Sequence, residues 1–212
     1  MNRRHQEHLA KERRRKRTVF AFSLFIVLTM IGGIFAAMLY NPTVQDRMEY
    51  GDHELYVKTL AGGGSVYALK IDGNEVELQH LPALVTYLDV DPGVAPLLTG
   101  AQQLALVADA NTTPEDLPLV DYARFQLALG LSVPSFTAMT GVNPYNQPIV
   151  NCSMASPQMP VLLFMSTNET PRVILEGSCV LVQGSGRGLL AAKDRLLYER
   201  LGVIVNGQVI ED

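Results

Sequence analysis

The sequence predicts a domain of mixed α and β structure, α+β or mixed α/β, placed after a single N-terminal transmembrane helix. Three observations support this fold class. A basic head is followed by a long uncharged apolar run, several short segments alternate apolar and polar residues between turns, and two longer segments repeat apolar residues at spacings of three and four. The first pattern is typical of a membrane anchor, the second of strands, and the third of helices with one buried face.

Residues 1–40 form the predicted anchor. Residues 1–17 contain eight Lys or Arg and two Glu, whereas residues 18–40 contain no charged side chain. A helix of that length extends about 34 Å, which is enough to cross a hydrocarbon core of about 30 Å. A cleaved signal peptide is the alternative, but its apolar core is normally only about 7 to 15 residues long. We therefore expect an uncleaved signal-anchor helix at 18–40.

The distribution of charge predicts the orientation of the chain. The positive-inside rule places the basic tail, residues 1–17, in the cytoplasm and residues 41–212 beyond the cell membrane. A linker is expected at 41–50 and one exterior domain at 51–212. Residues 41–212 hold nine Lys or Arg and 19 Asp or Glu, a formal charge of −10. This charge disfavours nucleic acid as a partner, and the anchor implies the lipid bilayer as one.

The first part of the exterior domain is predicted to be an antiparallel meander. Its three strands are expected at 54–60, 66–71 and 75–78, separated by a glycine triplet and an Asp-Gly-Asn turn. A short helix at 82–88 and a buried strand at 103–108 follow.

Two helices are expected in the exterior domain. The first begins near Thr113, where a hydroxyl residue, a proline and two acids occur in the order typical of a helix start, and it ends at about Gly130. The second spans residues 189–201. Its outward face is predicted to carry Lys193, Asp194, Glu199 and Arg200.

A long irregular segment is predicted at 132–150, which is rich in Pro, Gly, Asn and Ser. Long loops in compact domains are often functional or fastened to the rest of the fold. Three short strands are expected after it, at 161–165, 172–176 and 179–183. A terminal hairpin turns at Asn206-Gly207, the preferred type I′ dipeptide.

The only two cysteines, Cys152 and Cys179, are predicted to form a disulfide, because both lie in the exterior domain, where an oxidising environment favours pairing. A nucleophilic cysteine or a metal pair is less favoured, because no His follows His80 and no C-x-x-C spacing is present. Three N-x-S/T sequons occur. Asn168 is the best glycosylation acceptor, because the first sequon precedes a proline and the second contains a cysteine.

The connection at 184–188 is the candidate for anion binding. It lies between a predicted strand and a predicted helix, where the backbone N–H groups of Gly184, Gly186 and Gly188 and the charge of Arg187 could hold an anion. A dinucleotide fingerprint would need a further glycine where Leu189 stands. A flexible connection is the alternative, and we expect no cofactor.

Neither a catalytic set nor a metal site can be assembled from the sequence. The G-x-S-x-G nucleophile elbow is missing. The possible metal ligands are Asp52, His53, His80, Asp89 and Asp91. They do not have the spacing of a calcium loop, so roles in turns and at the surface are favoured and no metal is expected.

One pattern in the C-terminal third has a family likeness. The strand sequence CVLVQG beginning at Cys179 precedes a glycine-bearing connection and the helix sequence AKDRLLY at 192–198, which ends at LGVI. Together with Tyr50-Gly51-Asp52, this pattern resembles uncharacterised archaeal single-pass membrane-anchored proteins, in which a Cys-bearing strand precedes an A-A-D-R-L-L-Y-like helix. Lys193 interrupts that motif. The resemblance implies a small anchored exterior α/β domain and transfers no active site.

These observations predict a membrane-anchored extracytoplasmic domain that binds or scaffolds another envelope component and is not an enzyme. One alternative is a membrane-tethered hydrolase or transferase that uses 132–150 and 184–188. Another is an accessory subunit of a membrane complex. A pocket joining those two segments would favour the enzyme, whereas an exposed apolar patch or an unpaired sheet edge would favour partner binding.

Overall fold

The computed structural model describes residues 47–60 and 63–210, together with Thr29. The predicted basic tail and, apart from Thr29, the predicted transmembrane helix lie outside the described residues. Within the part of the chain that is described, no helix is both long enough and apolar enough to cross a membrane.

The first four strands form an antiparallel sheet in chain order. They are β1 (Arg47–Tyr50), β2 (His53–Thr59), β3 (Ser65–Ile71) and β4 (Asn74–Leu78). The last three correspond to the predicted meander. β1 lies in the segment predicted to be a linker. Its four residues mix charged and apolar side chains and are too few to show a periodic pattern, so the sequence does not predict a strand there. Its pairing with β2 places Met48 opposite Leu55.

A second sheet has five strands in the order β6-β5-β7-β9-β8, all parallel except β8. The strands are β5 (Leu104–Ala108), β6 (Ser135–Met139), β7 (Val161–Ser166), β8 (Arg172–Glu176) and β9 (Cys179–Gly184). β5, β7, β8 and β9 confirm predicted strands. The segment 132–150 is not irregular throughout, since it contains β6. With only five residues between proline and glycine neighbours, β6 carries no strong strand signal of its own.

In the domain that the structure describes, residues 47–60 and 63–210, three α-helices accompany the sheets: α1 (Val94–Gly100), α2 (Leu117–Gly130) and α3 (Arg187–Arg200). α2 and α3 confirm the two predicted helices. α1 has seven residues including a proline, too few for a helical periodicity to be visible. The predicted helix at 82–88 is a 3₁₀ turn at Pro82–Leu84, and the expected terminal hairpin is present as β10 (Ile204–Val205) and β11 (Gln208–Val209).

The main core combines side chains from both sheets and all three helices. α2 packs against β4 of the first sheet and β5 of the second, and α3 packs against β9, α1 and α2. Because α3 is enclosed in this way, every residue from Leu189 to Tyr198 is buried. The prediction that Lys193 and Asp194 face outward is therefore wrong, and both side chains are fully buried.

The opposite face of the five-stranded sheet carries a smaller core. Ala105 and Val107 of β5 and Leu163 of β7 belong to it, and residues that follow β6 cover it, including Val150 and Cys152. The chain between β6 and β7 is thus held against the sheet, and its outer side forms part of the surface of the domain.

Candidate functional site

The predicted anion-binding connection lies at the carboxyl edge of the five-stranded sheet, between β9 and α3. Gly186 has a φ of +50°, and α3 begins at the next residue, Arg187, whose side chain is exposed. Gly188 N donates to Ser185 O at 2.9 Å, which closes the turn. The backbone therefore has the form that the sequence predicts, with a helix N-terminus at its end.

A carboxylate of the chain itself lies at this helix N-terminus. Asp116, which is 9% exposed, immediately precedes α2. Its Oδ1 accepts the Gly186 N–H at 2.8 Å, and its Oδ2 accepts the hydroxyl of Ser166 at the end of β7. The carboxylate joins α2, β7 and the start of α3. The Gly186 N–H of this connection is therefore engaged in holding the fold together.

The neighbouring strand ends are closed in a similar way. Ligands of open α/β sheets usually bind where the strand order reverses, which here is between β5 and β7. Thr140 Oγ1, just after β6, donates to Asp109 Oδ1 at 3.0 Å and accepts the Ala110 N–H at 2.8 Å. Asp109 N donates to Phe164 O at 3.0 Å. These groups satisfy one another rather than facing a ligand.

A cavity of about 460 Å³ lies elsewhere, lined by residues of 86–95, the last turns of α3 and the β10–β11 turn. None of its lining residues belongs to 132–150 or to 184–188. It does not join the two segments on which the enzyme hypothesis depends.

The long segment 132–150 is ordered by one asparagine. Asn143 Oδ1 accepts the N–H groups of Tyr145 and Gln147, both at 3.1 Å. Asn143 Nδ2 donates to the carbonyl oxygens of Gly141 and Gln147 at 3.3 and 3.2 Å. The loop after β6 therefore has a defined shape although it contains no helix and no long strand.

Three large apolar side chains on this loop are exposed to solvent. Val142 is 92% exposed, Tyr145 61% and Ile149 50%. Exposed apolar residues that occur singly are normal, but here three occur within eight residues of one ordered loop. We call them the apolar patch, and groups of exposed apolar side chains often mark interaction surfaces.

The patch adjoins an open sheet edge. Leu104 N donates to Pro134 O and Thr140 N to Ala108 O, so the even-numbered residues of β6 bond to β5 and the odd-numbered ones direct their backbone groups outward. Met139 is covered, because its N–H donates to Pro148 O at 3.0 Å and its carbonyl accepts from Val150 at 2.9 Å. The outward groups of Ser135 and Thr137 have no partner among the described residues. We call this edge and the apolar patch the β6 face.

The other edge of the same sheet, β8, is closed by the chain. Val173 N donates to Asp89 O at 2.9 Å, and Asp91 N donates to Val173 O at 3.2 Å. The next outward N–H, that of Leu175, donates to Asp91 Oδ2 at 2.6 Å. Asp91, one of the acids considered for a metal site, thus caps a sheet edge. Natural proteins usually protect exposed edges in some such way, so the open β6 edge is the exception within this sheet.

The β6 face lies within a long stretch that has no charge. Residues 125–168 contain no Asp, Glu, Lys, Arg or His, a run of 44 residues in a domain otherwise rich in acids. The run covers the end of α2, all of β6, the loop after it and β7. Depletion of charge is a property of the centres of protein interfaces. This uncharged run is the sequence signal that could have located the face.

The predicted disulfide is present. Cys152 and Cys179 are bonded, with their Cα atoms 5.2 Å apart. Cys152 lies in a 3₁₀ turn, Cys152–Met154, directly after the long loop, and Cys179 begins β9. The bond fastens the end of the loop to β9, which lies between β7 and the edge strand β8.

A buried polar cluster joins α3 to the end of β4, and its burial was not evident from the sequence. Asp194 Oδ2 accepts the N–H groups of Gln79 and His80 at 2.9 and 3.0 Å and lies 2.8 Å from His80 Nδ1. The neighbouring Lys193 pairs with the Asp194 carboxylate and donates to Glu77 O at 2.8 Å. The cluster satisfies backbone groups where β4 ends.

Tyrosines border this cluster. Tyr198 donates to His80 O at 2.7 Å, and burial raises its pKa far above the ordinary value. Burial likewise raises the pKa of Tyr122, which accepts from Gln79 Nε2 at 2.7 Å and donates to Glu77 at 3.0 Å. Both phenols are therefore neutral at physiological pH.

Lys58 of β2 links two acids of β4 at the surface. Its ammonium lies 2.5 Å from Glu75 and 3.1 Å from Glu77. The Lys58 hydrogen bond, followed by one from Tyr56, lowers the pKa of Glu75, while burial and the same carboxylate raise the pKa of Tyr56 to about 12.

The remaining candidate residues are dispersed. His53 Nε2 lies 3.1 Å from Leu201 O, whereas His80 contacts Asp194. Among the described residues no group of three His, Cys, Asp or Glu side chains could hold a metal ion. The glycosylation candidate Asn168 is exposed in the connection between β7 and β8. Use of this sequon stays a prediction.

Comparison of the chain with protein-family models, with curated proteins and with solved structures finds no match.

Proposed function

We propose that this protein is a single-pass membrane-anchored, extracytoplasmic binding domain, and that its β6 face holds an extended segment of another envelope protein. The observation that carries the proposal is the open backbone edge at Ser135 and Thr137 beside the exposed side chains of Val142, Tyr145 and Ile149. In this mode of recognition the partner adds a strand to the sheet, so that backbone hydrogen bonds provide affinity and apolar contacts provide specificity.

The position of the face supports its use for binding. β6 is held on one side by β5, and its last residue is fixed by the strap at 148–150. Only the first part of the strand is open. A partner segment therefore meets a preorganised edge of about two hydrogen-bonding residues, extended by the apolar loop. Preorganisation lowers the conformational entropy that binding would otherwise cost.

The chemistry of the face favours a polypeptide over the membrane surface. Outward N–H and C=O groups of a strand need directed partners, which another backbone offers and lipid does not. The face is also without charge, so it has no electrostatic attraction to anionic headgroups.

The charge of the domain favours a different protein over a second copy of this chain. Two identical domains, each with a formal charge of −10 outside the membrane, repel each other, and an uncharged face does not offset that repulsion. We therefore expect a partner segment that is rich in uncharged, β-prone residues and that belongs to a neutral or basic protein.

The proposed location rests on the basic head and apolar run at 1–40 and is supported by the disulfide, because cystine bonds persist mainly in oxidising compartments.

Site-specific photo-crosslinking in intact membranes tests the proposal. A photoreactive residue is placed at Val142 of the full-length chain, and an identical one at Leu84, which is an exposed apolar residue outside the β6 face. We expect one discrete heterologous adduct from position 142 that position 84 does not form.

The open edge itself is tested by Thr137→Pro, with Thr137→Ala as the matched control. Proline removes an N–H that bonds to nothing in the described chain, and edge strands tolerate proline at such positions. The adduct should disappear in the proline variant and persist in the alanine variant, while both keep the melting temperature of the wild type. An adduct of two copies of this chain, or equal adduct yields in the two variants, would refute strand addition by a different protein.

A further inference from the structure

The strap at 148–150 is a short extended segment that begins to cover the edge of β6. Met139 pairs with Ile149 in a parallel bridge. Met139 N donates to Pro148 O at 3.0 Å and Val150 N donates to Met139 O at 2.9 Å, which is the bonding pattern of a regular parallel ladder. The chain therefore begins to add a strand to its own sheet, and this bridge involves only the last residue of β6.

One further step of this ladder would close Thr137 as well. In a parallel ladder, alternate residues of the added strand direct both their N–H and their C=O toward the neighbouring strand. The Met139 bonds show that residues 148 and 150 face β6, so residue 146 is the next one in line to do so. Thr137 would then donate to the carbonyl of residue 146 and accept from the N–H of residue 148. Neither bond occurs within the described part of the chain.

The two residues that these bonds require cannot form them in this conformation. Residue 148 is a proline, which has no N–H to donate to the Thr137 carbonyl. Asn146 has a φ of +53°, outside the extended region, and its N–H donates back to Asn143 O at 3.4 Å. Asparagine adopts this left-handed conformation more readily than most residues do. The pairing of the strap with β6 therefore ends one step after it begins.

Pro148 differs from the prolines that protect sheet edges. Those prolines remove an N–H that points to solvent. The carbonyl of Pro148 bonds to Met139, so its nitrogen also faces β6, because both backbone groups of a strand residue point to the same side. The missing N–H is thus one that β6 itself would bond. Its absence leaves the edge open at Thr137, whereas the chain at 89–91 closes the β8 edge of the same sheet.

We propose that Pro148 determines which segment occupies the β6 edge. It ends the pairing of the chain's own strap at Met139, and so leaves the backbone groups of Ser135 and Thr137 available to an extended segment of another protein. The inference rests on the function proposed for the β6 face and adds the residue that keeps this face accessible. The exposed side chain of Thr137 is consistent with an edge that the chain does not cover.

Pro148→Ala restores the missing N–H, and Pro144→Ala is the matched control. Pro144 is an exposed proline of the same loop at the second position of the 143–146 turn, where the N–H normally has no partner. Residue-resolved hydrogen exchange of the full-length chain in detergent micelles measures both new amides. We expect the amide at position 148 to exchange at least about fivefold more slowly than an unstructured amide, which is the effect of one net hydrogen bond. The amide at position 144 should exchange at the unstructured rate.

A double variant, Pro148→Ala with Asn146→Val, is designed to close both backbone groups of Thr137. A β-branched residue strongly disfavours the left-handed conformation, so residue 146 becomes extended and its carbonyl accepts from Thr137. The Thr137 amide should then exchange at least about fivefold more slowly than in the wild type. In intact membranes, the heterologous adduct from position 142 should fall at least about fivefold in the double variant and persist in Pro144→Ala.

Hydrogen exchange and crosslinking together separate this inference from the function proposed for the face. Rapid exchange at position 148 and at Thr137 in the double variant would show that Pro148 does not end the pairing of the strap, whatever the crosslinking gives. Slow exchange with an undiminished adduct would show that the partner does not use the edge at Thr137, which also overturns the inference. Slow exchange without any adduct in the wild type would overturn the function proposed for the β6 face, and with it the role of Pro148 in admitting a partner.

Discussion

The carboxylate of Asp116 should be one of the most important single polar groups for the stability of the domain. It is nearly buried and accepts two hydrogen bonds, one from Gly186 N at the start of α3 and one from the Ser166 hydroxyl at the end of β7. Each hydrogen bond to a charged group contributes about 1.5 to 3 kcal/mol. Asp116→Ala leaves both donors without an acceptor, so we expect a loss of about 3 to 4 kcal/mol in the free energy of unfolding.

The variant Asp116→Asn gives an intermediate case. Its amide oxygen can still accept from Gly186, but the charge that favours a helix N-terminus is lost, and we expect a loss of about 1 to 2 kcal/mol. Glu115→Gln is the matched control, because Glu115 is the adjacent acid, is exposed and makes no ion pair in the described structure. This change should stay within about 0.5 kcal/mol of the wild type.

Thermal unfolding of the full-length chain in detergent, followed by circular dichroism, measures these effects, since the chain has no Trp to report by fluorescence. For a domain of this size 1 kcal/mol corresponds to about 2 to 4 °C, so Asp116→Ala should lower the melting temperature by about 10 °C. A decrease no larger than that of Glu115→Gln would show that the carboxylate does not hold the carboxyl edge together, and the account of this edge would have to be abandoned.

Three further outcomes are expected from the same assay. Replacing Cys152 and Cys179 together by Ser should cost about 3 to 4 kcal/mol, because the bond joins residues 27 apart; equal stability of the oxidised protein and this variant would contradict the role of the disulfide. Gly184→Ala should lower the free energy of unfolding by about 2 kcal/mol or more, because a Cβ at this position would lie 3.1 Å from backbone atoms and the φ is +156°. Gly64→Ala is the control and should be tolerated, because the nearest atom to a Cβ there is 3.9 Å away. The hydrogen bond from Lys58 lowers the pKa of Glu75 below 4.5, so the stabilisation from the ionised Glu75 is present above pH 4.5 and is lost as the pH falls through the folded-state pKa. Between pH 6 and 3 the wild type should therefore lose more stability than Glu75→Gln, by less than about 1 kcal/mol. Parallel curves of stability against pH for the two proteins would contradict this.

Local patterns in the sequence identified most of the regular structure. The strands of the meander, the strands around Cys179 and the helices α2 and α3 have periodicities long enough to be seen within a single window. The short elements β1, β6 and α1 are not predicted by the sequence, because β1 mixes charged and apolar residues, β6 lies between Pro134 and Gly141, and α1 contains Pro96. Their existence depends on pairing and packing with neighbours that are distant in the chain.

The helix α3 shows where a local pattern misleads. Polar residues on a predicted helix are normally assigned to its exposed face, and Lys193 and Asp194 were assigned in that way. The helix is enclosed on several sides, so both residues are buried. Asp194 accepts the backbone N–H groups of Gln79 and His80, and Lys193 donates to the backbone carbonyl of Glu77, all more than 110 residues away. Sequence periodicity gives the direction of a side chain about the helix axis but does not tell how many sides of the helix are covered.

The sequence by itself determined the pairing of Cys152 with Cys179, because two cysteines allow only one bond, and it determined the acidic character of residues 41–212 and the main strands and helices. Only the tertiary structure decided that Asp116 accepts from Gly186 in the predicted anion-binding connection, that β8 is a closed edge and that β6 is an open one. Each of these facts depends on contacts between residues far apart in the chain, such as the 70 residues between Asp116 and Gly186. Composition and local spacing carry no information about such contacts, since packing of the whole domain brings these groups together.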